Sequence, residues 1–149
     1  MEMAQRKGGT EMEKKIDEKK LLNEAKEARK NAYVPFSGFT VGAALLTKDG
    51  KVFRGCNIES SVMSPSLCAE RVALSKAISE GEKEFLAIAI SGAPSGEDAT
   101  EPCYPCGVCR QVLSEHVDLN TFRIIVEENV NPSICTLADL LPNAFIFEK

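Results

Sequence analysis

The chain has 149 residues, of which 44% are hydrophobic and 27% are charged, and its formal net charge is −4. This composition is typical of one globular domain with its own core, and no apolar run approaches the length of a membrane span. Nine of the 18 basic residues occur in the first 30 positions, and the remaining nine are outnumbered by 15 acidic side chains. The body of the chain therefore lacks the basic groove that nucleic-acid binding requires, which favours a small uncharged substrate.

Residues 1–15 are charged, contain glycine and show no apolar periodicity. We therefore expect a disordered N-terminal extension over 1–15, followed by a single catalytic domain over 16–149. The extension has no apolar stretch of the kind that a secretory signal needs. Six cysteines in a chain without an export signal favour reduced thiols and metal ligation over a disulfide framework. These features predict a cytoplasmic protein.

Hydrophobic periodicity and turn residues predict four helices and four strands. In chain order these are a helix from 16 or 17 to 31, strands 40–47 and 52–57, a helix 68–79, a strand 85–91, a helix 106–117, a strand 122–127 and a short helix 137–141. The continuous apolar run over 85–91 is typical of a central strand with a parallel neighbour. The order α-β-β-α-β-α-β-α predicts an α/β fold with a mixed sheet and helices on both faces.

Three cysteines fall at the starts of two predicted helices. Cys106 and Cys109 follow Pro105, and Cys68 opens the helix that lies upstream. A proline suits the first helical position, so we expect Cys106 and Cys109 on the first turn, facing one point. The partial positive charge at a helix N-terminus lowers the pKa of a thiol. Three thiolates leave one position open on a tetrahedral zinc ion, so the sequence predicts one catalytic Zn²⁺ per chain.

Glu70 lies two positions after Cys68, where its carboxylate can reach a water on the metal without being a ligand. Cys68-x-Glu70 followed by Pro105-Cys106-x-x-Cys109 matches the pattern of zinc deaminases, in which the Glu acts as general acid and base. Three thiolates on a divalent cation leave a net negative charge, and Arg71 is the predicted cation that offsets it from outside the ligand set. The alternative is that Glu70 and Arg71 are solvated charges at a helix start.

Cys103 leaves a second interpretation open. Together with Cys68, Cys106 and Cys109 it would complete a closed Cys₄ site, and the protein would then be a zinc-stabilised interaction domain without catalytic activity. That hypothesis predicts that Cys103→Ser removes the metal and that Glu70→Gln has no effect. The catalytic hypothesis predicts the opposite for both substitutions.

From Tyr33 to Phe145 the sequence resembles the tetrameric cytidine deaminases. The matching stretches are Tyr33-x-Pro-Phe-Ser-x-Phe-x-Val-Gly-Ala-Ala-Leu-Leu, Gly55-Cys-Asn-Ile-Glu59, Cys68-Ala-Glu-Arg-x-Ala, Pro105-Cys-Gly-x-Cys-Arg-Gln-Val and Leu140-Leu-Pro-x-x-Phe145. The resemblance implies a three-layer α/β/α sandwich on a mixed five-stranded sheet, one zinc ion per chain, and a homotetramer whose active sites are shared between subunits. It also implies hydrolysis of cytidine and 2′-deoxycytidine to uridine and 2′-deoxyuridine, with release of ammonia, in pyrimidine salvage.

The resemblance implies the same three zinc ligands and the same proton-transferring glutamate. It adds five substrate-binding residues: Asn57 and Glu59 at the ribose 3′-hydroxyl, Phe39 beside the pyrimidine, the backbone of Ala69 at the base, and Phe145, which would close the pocket of a neighbouring chain.

Two departures from the family pattern concern substrate fit rather than chemistry. Met63 stands where the family usually has a tyrosine that reaches the pocket of an adjoining subunit. Cys103 and Tyr104 precede Pro105, where the family usually has a short serine. Blasticidin S-type deaminases, which act on a modified cytosine nucleoside, share the zinc motifs and are the nearest alternative. The intact ribose-binding and aromatic positions favour an unmodified nucleoside.

Overall fold

A computed structural model describes residues 16–149, so the predicted disordered extension over 1–15 lies outside the described residues. Within residues 16–149 the four helices are α1 (Glu18–Arg29), α2 (Ala69–Ser79), α3 (Gly107–Ser114) and α4 (Leu137–Leu140). The five strands of the same range are β1 (Phe39–Thr47), β2 (Val52–Cys56), β3 (Phe85–Pro94), β4 (Arg123–Glu128) and β5 (Asn131–Thr136). Within residues 16–149, every helix is too short or too polar to span a membrane.

All five strands form one mixed sheet in the order β2-β1-β3-β4-β5. The central strand β3 runs parallel to β4 and antiparallel to β1, and the two outer pairs are antiparallel. Almost the whole of β3 is buried because helices cover both faces of the sheet. The predicted central position and parallel neighbour of the 85–91 run are confirmed.

The helices divide between the two faces of the sheet. Side chains of α1 pack with one set of alternate strand residues, namely Ala44, Ala87, Ala89 and Ile125. Side chains of α2, α3 and α4 pack with the opposite set, which includes Ala43, Leu45, Ile88, Ile90, Ile124 and Val126. This alternation follows from the two-residue period of a strand. The predicted three-layer α/β/α sandwich is confirmed.

Strand β5 is the element that the residue pattern alone did not predict. Pro132 cannot donate a ladder hydrogen bond and is tolerated because β5 lies at the edge of the sheet. Asn129 and Val130 join β4 to β5 with φ angles of 50° and 69°, the conformation of a tight hairpin turn. Val130 gives no turn signal in the sequence, and the polar residues of β5 hide its alternation.

Several predicted boundaries shift. The prediction that Pro105 takes the first helical position is wrong. Cys106, which follows it, has extended backbone angles (φ −66°, ψ 169°) and caps α3. Helix α3 ends at Ser114 rather than 117, since the N–H groups of residues 115 and 116 donate to carbonyls three positions back, in a tighter turn. Strand β3 extends to Pro94, which pairs with Phe39 at the start of β1.

Gly55 determines how closely α2 approaches the sheet. A Cβ atom on this residue of β2 would lie 2.3 Å from the carbonyl oxygen of Ala69 and 2.5 Å from the amide nitrogen of Ala73. Only glycine accommodates backbone this close. The absent side chain therefore lets the N-terminus of α2, with the residues beside it, lie directly on the strand.

Candidate active site

Two helix N-termini bring three thiols together. Cys68 caps α2, Cys106 caps α3, and Cys109 lies in the first turn of α3. Their Sγ atoms all lie within 4.8 Å of one another, and those of Cys68 and Cys106 are 3.7 Å apart. Cys109 is fully buried, whereas Cys106 is exposed. The thiols thus lie at the positive ends of both helices, which favours their ionised forms.

The pKa shifts of Cys68 and Cys109 indicate that a cation belongs in the thiol cluster, which comprises Cys68, Cys106 and Cys109. Hydrogen bonding with Cys109, followed by hydrogen bonding from Arg71, lowers the pKa of Cys68 to about 5. The same interaction with Cys68, together with burial, raises the pKa of Cys109. Cys68 and Cys109 therefore compete for negative charge, and a cation beside them would let both ionise. Three thiolates with one position open suit Zn²⁺, so the residues fit this metal.

Cys103 lies near this cluster but is not part of it. Among residues 16–149, the group of side chains close enough to share a metal comprises Cys68, Cys106 and Cys109. Burial, with added repulsion from Glu70 and Cys68, raises the pKa of the Cys103 thiol to about 11. The Cys103 sulfur is not among the ligand atoms that lie within 4.8 Å of one another. The geometry therefore argues against the closed Cys₄ site.

Glu70, the second residue of α2, is only 4% exposed and lines the same pocket as Cys68 and Cys106. Burial raises the pKa of its carboxyl group, and the negative charge on Cys68 adds to this shift. A raised pKa brings a carboxyl group closer to the range in which it both accepts and releases protons. This environment is not that of a solvated helix charge, which was the alternative for Glu70.

Arg71 bridges the loop before α2 and the thiol cluster. Its Nη2 atom donates to the carbonyl oxygen of Ser66 at 3.2 Å and to Sγ of Cys68 at 3.8 Å. The hydrogen bond to Cys68 raises the pKa of the guanidinium. A permanent positive charge therefore lies beside the thiol cluster.

The pocket has a volume of about 540 Å³ and is also lined by Asn57 and Glu59. The Asn57 Oδ1 atom accepts from the amide of Val41 at 2.9 Å, and its Nδ2 atom donates to the carbonyl of Phe39 at 3.0 Å. Oε1 of Glu59 accepts from the amides of residues 36 and 37, at 3.0 and 3.1 Å. These two side chains therefore also hold the aromatic loop 33–39 in place.

Hydrogen bonding from Ser37 lowers the pKa of Glu59. Its carboxylate therefore remains ionised at neutral pH, the form that accepts a hydrogen bond from a hydroxyl group. Ala69, at the start of α2, is fully buried and borders the same pocket.

Two predicted substrate-binding residues do not line the pocket in a single chain. Phe39 lies beside Gly92, and Phe145 is 68% exposed on the C-terminal tail. The tail is held against α3 by a hydrogen bond of 3.0 Å from Nε2 of Gln111 to the carbonyl oxygen of Phe145. Met63, at the rim of the pocket, is 86% exposed. One chain thus leaves the outer part of the pocket open.

The residues that line the pocket include Phe36 and Val41, to which the sequence assigned no role. The density of aromatic residues in the loop 33–39 was a signal for Phe36. Val41 has the sequence context of an ordinary strand residue. Its contact with the pocket depends on how β1 pairs with β3, which the local sequence does not show.

Comparison with known proteins adds evidence from sequence and from three-dimensional structure. The family model of the cytidine and deoxycytidylate deaminase zinc-binding region matches residues 15–124. The chain belongs to this family. The cytidine deaminase of Sporosarcina psychrophila is 45% identical over 136 residues, which cover 87% of this chain and 92% of that protein.

Solved structures of family members agree with this assignment. The crystal structure of cytidine deaminase from Burkholderia pseudomallei has a TM-score of 0.74 and 44% identity, over 84% of this chain and 96% of that chain. The crystal structure of cytidine deaminase from Mycobacterium tuberculosis also has a TM-score of 0.74, with 39% identity over 89% of this chain and 99% of that chain. The predicted family and the predicted zinc cofactor are confirmed.

Proposed function

We propose that this protein is a zinc-dependent hydrolase that deaminates cytidine and 2′-deoxycytidine to uridine and 2′-deoxyuridine, releasing ammonia. The observation that carries the proposal is the buried carboxyl group of Glu70, which lies in one pocket with Cys68 and Cys106 of the thiol cluster. Relatives that cover most of this chain are named cytidine deaminases, which supports the same substrate here. The family's usual role, pyrimidine salvage, is part of the proposal.

Cys68, Cys106 and Cys109 would hold one zinc ion per chain. When bound, zinc supplies the Lewis-acid chemistry that makes water a nucleophile near neutral pH. Arg71 hydrogen-bonds Cys68 and offsets the excess negative charge of three thiolates. It thereby stabilises the ligand set without touching the substrate.

Glu70 carries the protons of the reaction. Its carboxylate takes a proton from the attacking water, delivers it to N3 of cytosine, and then transfers the second proton of that water to the departing amino group. One water is consumed, the C4–N bond breaks, and ammonia leaves, so the atoms balance. The raised pKa of the buried Glu70 carboxyl favours holding each proton between these transfers.

Four further residues bind the nucleoside in this proposal. Asn57 and Glu59 hold the ribose 3′-hydroxyl with the hydrogen-bonding capacity that remains beyond their bonds to the backbone of Val41, Phe39 and Phe36. The Ala69 backbone contacts the base, and Phe39 lies beside the pyrimidine.

We also propose that the protein is a homotetramer with active sites shared between subunits. Phe36, Met63 and Phe145 are 65%, 86% and 68% exposed, and a neighbouring subunit would cover such apolar side chains. Phe145 would then close the pocket of a neighbour. All six cysteines are free thiols, which supports a cytoplasmic location.

The test is the loss of cytosine absorbance when the purified protein is mixed with cytidine, with zinc content measured in parallel. We expect turnover by the parent, and Glu70→Gln to lower kcat by about 10²–10⁴-fold while it still binds one zinc per chain. Glu80→Gln, at the exposed end of the same helix, is the matched control and should behave as the parent.

Three outcomes would contradict the proposal. A zinc-loaded parent that converts neither cytidine nor 2′-deoxycytidine would refute the assigned substrates. Full activity of Glu70→Gln would refute its role in proton transfer. Loss of zinc from Cys103→Ser would restore the Cys₄ hypothesis.

A further inference from the structure

The face of β3 that packs against α2, α3 and α4 has an interrupted apolar stripe. Ile88 and Ile90 point to this face and are fully buried, and the two-residue period places residue 92 next in line. Residue 92 is a glycine. It pairs across the sheet with Val41, which lines the pocket. The position without a side chain is therefore next to the pocket.

Two side chains fill the space that a residue at 92 would otherwise occupy. A Cβ atom on Gly92 would lie 2.7 Å from Sγ and 3.1 Å from Cβ of Cys103, and 3.1 Å from Cε1 of Phe39. Cys103 packs against the core on this face and also lines the pocket together with Glu70 and Cys68. The side chain that completes the stripe therefore comes from the loop before α3 and not from β3.

We propose that Gly92 and Cys103 form a size-matched pair that positions Phe39 and the pocket wall beside Glu70. This inference rests on the proposed function for its effect on substrate. Adding a methyl group at position 92 forces the Cys103 thiol toward the pocket and displaces the edge of the Phe39 ring. The two residues are positioning residues, because they act on substrate binding through the wall and not on the transferred protons.

The experiment measures cytidine kinetics and zinc content for the parent, Gly92→Ala, Cys103→Ala and the double variant. We expect Gly92→Ala to raise KM by about tenfold, since overpacking by one methyl group displaces well-packed neighbours. We expect kcat to change much less and zinc to stay at one per chain. In the double variant the nearest clashing atom is gone, so KM should return to within about threefold of that of Cys103→Ala.

A second readout does not depend on turnover. Peptide-resolved alkylation by iodoacetamide should modify Cys103 several times faster in Gly92→Ala than in the parent, because its thiol is pushed into the open pocket. Cys135, which is half-buried on β5, is the internal reference and should react at the same rate in both proteins. If the parent fails to convert cytidine, the proposed function fails, but the alkylation rates still test the pair.

Unchanged KM and unchanged alkylation of Cys103 in Gly92→Ala would overturn the proposal, as would purely additive effects in the double variant. Should Gly92→Ala not fold, the size of residue 103 tests the same pair from the other side. Cys103→Val enlarges this side chain and should raise KM well above that of Cys103→Ser, whose side chain matches cysteine in size. Equal KM values for these two variants would also overturn the proposal.

Discussion

The inner and outer ends of the pocket differ in how completely one chain builds them. At the inner end Cys109 and Ala69 are fully buried and Glu70 nearly so, on helix starts that pack against the sheet. At the outer end Phe36 and Met63 remain largely exposed, on loops. The thiols and the carboxyl group that the proposed reaction uses are therefore assembled within one folded chain. The exposed loops that would enclose the substrate have little of the core behind them.

Because of this difference, we expect substitutions at the two ends of the pocket to change different measured quantities. Changes at the inner end should act on metal content and kcat, because the reacting groups lie there. Changes at the outer end should act on KM and on assembly. The four predictions that follow test this separation, from the largest expected effect to the smallest.

Cys109→Ala should abolish zinc binding and reduce turnover to background. Cys109 is the buried member of the thiol cluster, and two remaining thiols do not make a zinc site of three protein ligands. Metal content by atomic absorption and cytidine turnover check this outcome, and chelation of the parent's zinc should reproduce it. Cys135→Ala, a half-buried cysteine away from the cluster, is the matched control. Retention of one zinc ion per chain by Cys109→Ala would refute its role as a ligand.

Arg71→Gln should lower zinc affinity or kcat by about 10–100-fold, the usual cost of losing a partner of a metal ligand. The substitution removes the positive charge beside Cys68 and leaves room for a hydrogen bond to the carbonyl of Ser66. Competition with a metal chelator and steady-state kinetics measure the two effects. Arg71→Lys restores the charge and should recover part of the loss. If Lys and Gln variants are equally impaired, charge is not the cause.

Gln111→Ala should raise KM by about fivefold with little change in kcat. It removes the hydrogen bond that holds the tail at Phe145, and one such bond contributes about 1 kcal/mol. Gln111→Glu has nearly the same size but no amide donor, so it should reproduce the effect. A fall in kcat at constant KM would mean that Gln111 affects the reaction as the inner-end residues do. That result would contradict the expected difference between the two ends of the pocket.

Asp139→Asn should have the smallest effect, on stability alone and only at neutral pH. Asp139 Oδ2 accepts from the amide of Thr136 at 2.9 Å in the capping box of α4, and this bond lowers its pKa. Because the folded pKa lies below the unfolded one, the contribution is complete above about pH 4 and is lost as pH falls through the folded pKa. The Tm of the variant should therefore be lower by about 2 °C near pH 7 and equal to that of the parent in strong acid.

Thermal unfolding of both proteins across this pH range provides the measurement. Zinc content should stay at one ion per chain near neutral pH, because α4 does not contribute to the thiol cluster. A Tm difference that grows as pH falls would contradict the assigned direction of the pKa shift.

The sequence by itself determined the inner end of the pocket. Cys68, Glu70, Cys106 and Cys109 lie close to helix starts, so short-range patterns place them and the chemistry of thiolates restricts the metal. Local signals also predict α1 to α4 and four of the five strands, because apolar periods, one continuous apolar run and turn residues mark these elements. Strand β5 was not predicted from the residue pattern, because an edge strand needs no apolar period and tolerates Pro132.

Only the tertiary structure decided how distant segments meet. Gly92 and Cys103 are separate features in the sequence, and their contact arises because the loop before α3 crosses the end of β3. Nothing in the sequence around Asn57 indicates that its side-chain amide hydrogen-bonds the backbone of β1. Nothing around Phe145 indicates that Gln111 holds the C-terminal tail. Contacts of this kind depend on sheet order and on the closeness of backbones, which no local pattern encodes.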